Sequence, residues 1–181
     1  MPMNKSKIKI IASSSVFKIA KIIKAGKEDY NSLIGISNIL SDHYGKKAVL
    51  TNETIEKYFN KDGCLPFVAI YREEMVGYII GVPIEELSQE PWARKDINYG
   101  EKNTIYTYAY VIKKEYQGNG YAKMLKKVFI SWISKQEQIH YITGHVKKGI
   151  AKNFTGNIQS LEEIKNWQGT GITFEYYRRT L

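Results

Sequence analysis

Hydrophobic and polar positions change period several times along this chain, and each change marks an element. From Thr104 to Ile112 they alternate, with Ile105, Thr107, Ala109 and Val111 on one face and Tyr106, Tyr108 and Tyr110 on the other. That is the period of a strand. After a short polar stretch the period becomes helical: Ala122, Leu125, Phe129, Trp132 and Ile133 share one side, with Lys123, Lys126, Lys127 and Lys135 between them. Earlier, Val16 to Lys24 reads as a first strand. Gly26 to Asp29 opens a helix with Tyr30, Leu33, Ile34, Ser37 and Leu40 inward, ended by Gly45. Thr51 or Asn52 caps a second helix running through Phe59. Two apolar runs, Leu65 to Tyr71 and Met75 to Val82, flank the polar turn Arg72-Glu73-Glu74 as a β-hairpin, with Gly77 and Gly81 predicting a bulge or a close backbone approach. Pro83 to Gly100 is a long connection, of the kind that often carries function.

Beyond the helix, Ile139 to Val146 reads as a strand parallel to the one at 104–112, as a helical crossover requires. Ser160-Leu161-Glu162-Glu163 has the form of a capping box, and Leu161, Ile164 and Trp167 predict a short amphipathic helix behind it. Ile172 to Arg179 is a last strand. The predicted order is β-α-α-β-β-β-α-β-α-β, a mixed α/β fold. The chain reads as one domain over residues 1–181, with 1–15 as a loose N-terminal extension.

The segment between the strand at 104–112 and the helix after it is Gln117-Gly118-Asn119-Gly120-Tyr121-Ala122. The first N–H groups of a helix lack internal partners and carry the positive end of its dipole. Glycines there leave an anion free to approach the backbone. A dinucleotide fingerprint would need glycine where Lys123 stands, and a P-loop would need Gly-Lys-Ser/Thr. What the segment matches is Gln/Arg-x-x-Gly-x-Gly/Ala. It resembles the pyrophosphate-binding loop of the GCN5-related N-acetyltransferases (GNAT family), which move an acyl group from acyl-coenzyme A to an amine. The order of elements from about Val16 onward resembles that family as well.

The resemblance implies a sheet splayed into a V between the fourth and fifth family strands, here 104–112 and 139–146. It implies acetyl-coenzyme A as cosubstrate, its pantetheine along the backbone of Tyr110, Val111 and Ile112. The pyrophosphate would lie at Gln117, Gly118, Asn119, Gly120, Tyr121 and Ala122. Asn153, in a partial echo of the family's next helix motif, is a further cofactor candidate.

The acid and base depart from the pattern. Eleven residues before the motif glutamine, where relatives carry a glutamate base, this chain has Tyr106, which can order a water but is a poor base. The usual helix tyrosine is missing after 146. His145, at the end of a predicted strand, is a second candidate because histidine titrates near neutral pH; its alternative is a solvated strand-end residue. Tyr176 or Tyr177 on the last strand could serve the thiol, or simply pack. Glu85, Glu86, Glu90 and Asp96 could meet a cationic amine, or be a solvated acidic loop. His140 and His145, five apart on a strand, point to opposite faces, so no metal is expected.

Composition narrows the class further. With 43% hydrophobic residues in 181, the chain can bury a core. A single cysteine, Cys64, excludes an intramolecular disulfide. Lys7, Lys9, Lys18 and Lys21 interrupt any apolar run near the start, so no signal peptide or membrane span is expected, and the expected location is cytoplasmic. The net charge of +9 reads as a lysine-rich solvated surface, with coenzyme A phosphates giving part of it a use; nucleic acid is disfavoured as the main partner. A homodimer is compatible with all of this. The leading expectation is an N-acetyltransferase acting on a primary amine of a small molecule or peptide. The second is a coenzyme A-binding module without catalysis.

Overall fold

The computed structural model describes residues 4–181. In chain order its elements are β1 (Lys7–Ser13), β2 (Phe17–Lys24), α1 (Tyr30–Ser37), α2 (Ser41–Tyr44), α3 (Asn52–Phe59), β3 (Leu65–Tyr71), β4 (Glu74–Pro83), α4 (Pro91–Lys95), β5 (Thr104–Ile112), α5 (Tyr121–Ser134), β6 (Tyr141–Lys147), β7 (Asn157–Ile164) and β8 (Phe174–Thr180). Short 3-10 turns join several of them. The strands are hydrogen-bonded in the order β1-β2-β3-β4-β5-β6-β8-β7. The chain divides into two compact units, residues 1–80 with 109–132 and residues 81–108 with 133–181.

In the first unit, β1, β2 and β3 pair antiparallel. The β3–β4 hairpin closes through Arg72 and Glu73, both at positive φ (45° and 71°), as a two-residue turn requires to match strand twist. Apolar residues at helical spacing bury Leu33 and Ile36 of α1 and Ile55 of α3. Thr51 caps α3 reciprocally: its hydroxyl accepts from Thr54 N at 3.2 Å, and its own N–H donates to Thr54 Oγ1 at 2.8 Å. Such a cap is worth about 1 kcal/mol. Phe67 of β3 meets Phe129 and Trp132 of α5 edge-on, with ring centroids 5.7 Å apart in each case. Gly77 is a close approach: a Cβ there would lie 2.5 Å from Val111 O.

In the second unit, β8 pairs antiparallel with β6 on one side and β7 on the other. The parallel ladder of β5 on β6 covers only Thr104–Tyr106 against Tyr141–Thr143. Both strands run on beyond these paired residues, β5 to Ile112 and β6 to Lys147.

Two elements differ from the sequence reading. Lys7–Ser13, assigned to a loose extension, is a strand; its Lys-Ile-Lys-Ile alternation is strand periodicity that the charge disguised. The helix expected behind Ser160 is instead β7. Ile158, Leu161 and Ile164 sit three apart because a bulge between Ser160 and Glu162 resets the alternation. No capping box therefore forms at Ser160, whose hydroxyl instead lies 3.4 Å from Glu175 Oε2.

Candidate active site

The segment after β5 is held from both ends. The Lys113 N–H donates to Val76 O at 2.8 Å, and Lys113 Nζ pairs with Glu74 at 2.5 Å. Gln117 Nε2 donates to Ile112 O at 3.1 Å, so the motif glutamine closes the loop onto the strand that precedes it. Gly118 and Gly120 have φ of 82° and 78°, and a Cβ at either would meet nothing within 4 Å. The glycines are thus required by backbone conformation and leave open space above the turn. α5 begins at Tyr121, so the N–H groups of its first turn have no partner within the helix.

Tyr110, Val111, Ile112, Gln117 and Ala122 line a single pocket of about 400 Å³, together with side chains of the helical turns at Ile39–Tyr44. The Tyr110 hydroxyl donates to Ala122 O, linking strand to helix across that pocket. Burial pushes the Tyr110 phenol up to about 12, so it stays a donor. These features fit an extended, anionic ligand: apolar walls along the strand, then uncovered N–H groups at a helix start. Asn119 is exposed beside them, with Nδ2 3.5 Å from the carbonyls of Tyr116 and Gln117. Asn153 lies in the second unit, exposed, in a 3-10 turn at Ala151–Asn153 where a helix motif was sought.

The catalytic candidates Tyr106, His145 and Tyr176 come together in the second unit. The Tyr106 hydroxyl is 2.8 Å from His145 Nδ1. The imidazole is sandwiched between Trp167 (centroids 3.9 Å) and Tyr176 (4.8 Å), and Trp92 meets it edge-on at 4.7 Å. His145 is therefore no solvated strand end; it is 7% exposed. Burial depresses it to about 3, so the ring is neutral near pH 7 and shares one hydrogen with Tyr106. Its Nε2 and the Trp92 Nε1 are buried without a hydrogen-bond partner among the described residues. Burial, then the neighbouring tyrosines, hold the Tyr106 phenol well above its ordinary value.

The Tyr176 hydroxyl donates to Asp96 Oδ2 at 2.6 Å, and Arg178 Nη2 binds Oδ1 of the same carboxylate at 3.0 Å. Asp96, offered as part of an acidic loop, is buried and paired. Glu85 accepts from the N–H groups of Gly100 and Lys102 (3.1 and 2.9 Å) and so folds its own connection. Among the described residues no group of three or more His, Cys, Asp and Glu is placed to hold a metal.

A sequence profile of the acetyltransferase (GNAT) family matches residues 34–154. The chain belongs to the GNAT family. It is accordingly an acyl-coenzyme A-dependent acetyltransferase, and the family uses acetyl-coenzyme A as cosubstrate. The GNAT fold recurs in solved structures of low identity. NAA60 of Arabidopsis thaliana, in complex with a bisubstrate analogue, is 13% identical, with 90% of this chain and 97% of that one covered and a TM-score of 0.66. A ribosomal-protein-alanine N-acetyltransferase from Brucella melitensis is 15% identical over 87% and 98%, at 0.63. Ard1 of Thermoplasma volcanium is 12% identical over 92% and 98%, at 0.64. A search of curated proteins finds no match. None of the described helices of this GNAT chain is long and apolar enough to cross a membrane.

Sequence reasoning passed over Trp92, Trp167 and Arg178. Trp92 stood in the connection flagged for its length, and Trp167 was assigned to the helix that does not form. Arg178 gave no signal, because its partner Asp96 lies 82 residues away.

Proposed function

We propose that this GNAT chain transfers the acetyl group of acetyl-coenzyme A to a primary amine of a small molecule or peptide, by direct attack in a ternary complex. The loop carries the reading: two positive-φ glycines over open space, between a strand lined by a pocket and the start of a fourteen-residue helix. Backbone N–H groups of Gly118 to Ala122 would hold the pyrophosphate, and Tyr110 to Ile112 the pantetheine. Direct attack is supported by the state of the only cysteine, since Cys64 is buried with Sγ directed at Lys57 O, 3.8 Å away.

In the step itself the amine lone pair forms the new C–N bond and the C–S bond breaks. One proton leaves the nitrogen and one reaches the sulfur. With Tyr106 protonated and His145 neutral, neither takes the amine's proton: the Tyr106 hydroxyl orients a water that accepts it, and solvent supplies the proton that reaches the sulfur. General acid–base assistance of this kind is worth ~10²–10⁴-fold.

A second reading is a coenzyme A-binding module that has lost catalysis. It is favoured by the absence of a carboxylate at the Tyr106 position and by the commitment of the Tyr176 proton to Asp96. Binding is common to both readings. Acetyl-coenzyme A at a hundred times its dissociation constant is expected to add ~2.7 kcal/mol of stability. No shift in melting temperature at millimolar acetyl-coenzyme A contradicts both.

A further inference from the structure

Of the acidic side chains singled out in the connection at 83–100, the fold engages all but one. Asp96 pairs with Arg178, Glu85 accepts from the N–H groups of Gly100 and Lys102, and Glu86 has a partner as well. Glu90 differs. It is half-buried, and its carboxylate makes no hydrogen bond or ion pair among the described residues. Arg94, one helical turn further on, donates instead to Ser88 O.

The backbone fixes where Glu90 stands. Its N–H donates to Leu87 O at 2.9 Å, and its carbonyl accepts from Ala93 N at 3.1 Å and Arg94 N at 3.3 Å. Pro91 opens α4, where the N–H it lacks would have had no helical partner. Ala93 is fully buried. Between them Trp92 packs on Tyr106, with ring centroids 4.6 Å apart, and on His145 at 4.7 Å. The first turn of α4 therefore lies against the Tyr106–His145 pair, and all of these residues belong to the second unit. The Glu90 charge is felt there: after burial and the charges of Tyr176, Tyr177 and Tyr108, it helps to hold the Tyr106 phenol above its ordinary value. The same cluster contains two buried nitrogens without a partner among the described residues, His145 Nε2 and Trp92 Nε1. Buried polar atoms are seldom left unpaired. A free carboxylate and unpaired nitrogens in one cluster mark a site completed by a polar occupant.

We propose that Glu90 selects the acceptor, its carboxylate receiving the acceptor's ammonium group beside Tyr106 and His145. The proposal rests on the acetyl-transfer reading and names a determinant of its substrate. An amine with a solution pKa near ~10 is almost wholly protonated at neutral pH, so the acceptor arrives as a cation. A carboxylate binds it through charge-assisted hydrogen bonds. The chain's net charge of +9 repels cations as a whole, and a free acid at this place gives the acceptor one attractive point. A neutral alcohol of the same length leaves the carboxylate unpaired and is rejected.

The test titrates the full chain, nitrogen-15-labelled and saturated with coenzyme A, with butylamine at about pH 7, read by the indole N–H resonances. The Trp92 resonance, assigned by its loss in Trp92→Phe, is expected to move saturably with butylamine and not with butanol. Glu90→Gln is expected to weaken butylamine at least ~10-fold, the loss of a hydrogen bond to a charged group, and Glu90→Asp to weaken it less. Because the Glu90 side chain caps nothing, Glu90→Gln is expected to keep the wild-type melting temperature and its rise with coenzyme A. Glu101→Gln, which removes an exposed acid from the turn before β5, is expected to leave butylamine affinity unchanged. No saturable movement of Trp92, an equal response to butanol, unchanged affinity in Glu90→Gln or equal loss in Glu101→Gln overturns the proposal and leaves the acetyl-transfer reading standing. A wild type whose melting temperature does not rise with coenzyme A overturns both.

Discussion

The hydroxyl of Tyr106 and Nδ1 of His145 lie 2.8 Å apart in a site where both residues are buried. Because burial holds the imidazole at about 3, this pair is neutral at physiological pH and each member orients the other. Tyr106→Phe is therefore expected to lower turnover at saturating cosubstrate by at least ~10-fold near neutral pH, with recovery toward pH ~10 as the acceptor amine loses its own proton. His145→Gln, which keeps a polar group for Tyr106, is expected to retain more turnover than His145→Ala. Near-wild-type turnover in both Tyr106→Phe and His145→Ala across the pH range removes the pair from the chemistry.

The same burial makes stability depend on pH. An unfolded chain protonates His145 near its ordinary 6.5, whereas the folded one does so only near 3. The unfolded state thus binds the extra proton between those values, and the stability present above pH ~6.5 is lost as pH falls. The slope approaches ~1.4 kcal/mol per pH unit for this one group. Urea unfolding at about pH 7, 6 and 5 is expected to show a steeper loss in the wild type than in His145→Phe. Parallel curves contradict the assignment.

How far the sequence announced all this depended on whether a signal was local. The alternation at 104–112, the glycines at 118 and 120 and the helical stripe after Ala122 are contiguous, and they gave the strand, loop and helix directly. β7 was misread because a bulge at Ser160–Glu162 gives a strand the spacing of a helix. β1 was passed over because lysine alternation looks like a charged tail. The cage around His145 draws on Trp92, Tyr106, Trp167 and Tyr176 from four separate segments, and no local pattern encodes such a meeting.

Gly120→Val places a β-branched residue at φ 78° and a side chain in the open space above the turn. The strain costs about 1–2 kcal/mol. Cosubstrate affinity, measured by calorimetry, is expected to fall at least ~10-fold while the circular dichroism spectrum stays unchanged. Unaltered affinity in a folded variant moves the anion site elsewhere.

Asp96 and Arg178 form a buried ion pair at 3.0 Å, with side-chain exposures of 0% and 10%. Arg178→Met strands the carboxylate and is expected to cost ~3–5 kcal/mol in urea unfolding. Asp96→Asn combined with Arg178→Met is expected to cost less than the sum of the single changes. Additivity within ~0.5 kcal/mol shows that the two do not act as a pair.

The most direct test of acetyl transfer is release of free coenzyme A thiol from acetyl-coenzyme A, with the acetylated acceptor identified by mass spectrometry. It is run over a panel of peptide N-termini, lysine side chains, polyamines and small primary amines. The account predicts acceptor-dependent thiol release, matched one to one by acetylated amine and abolished when the amine is omitted. Cosubstrate binding with no thiol release above background on any member of the panel contradicts it, and assigns the chain to the non-catalytic coenzyme A-binding reading.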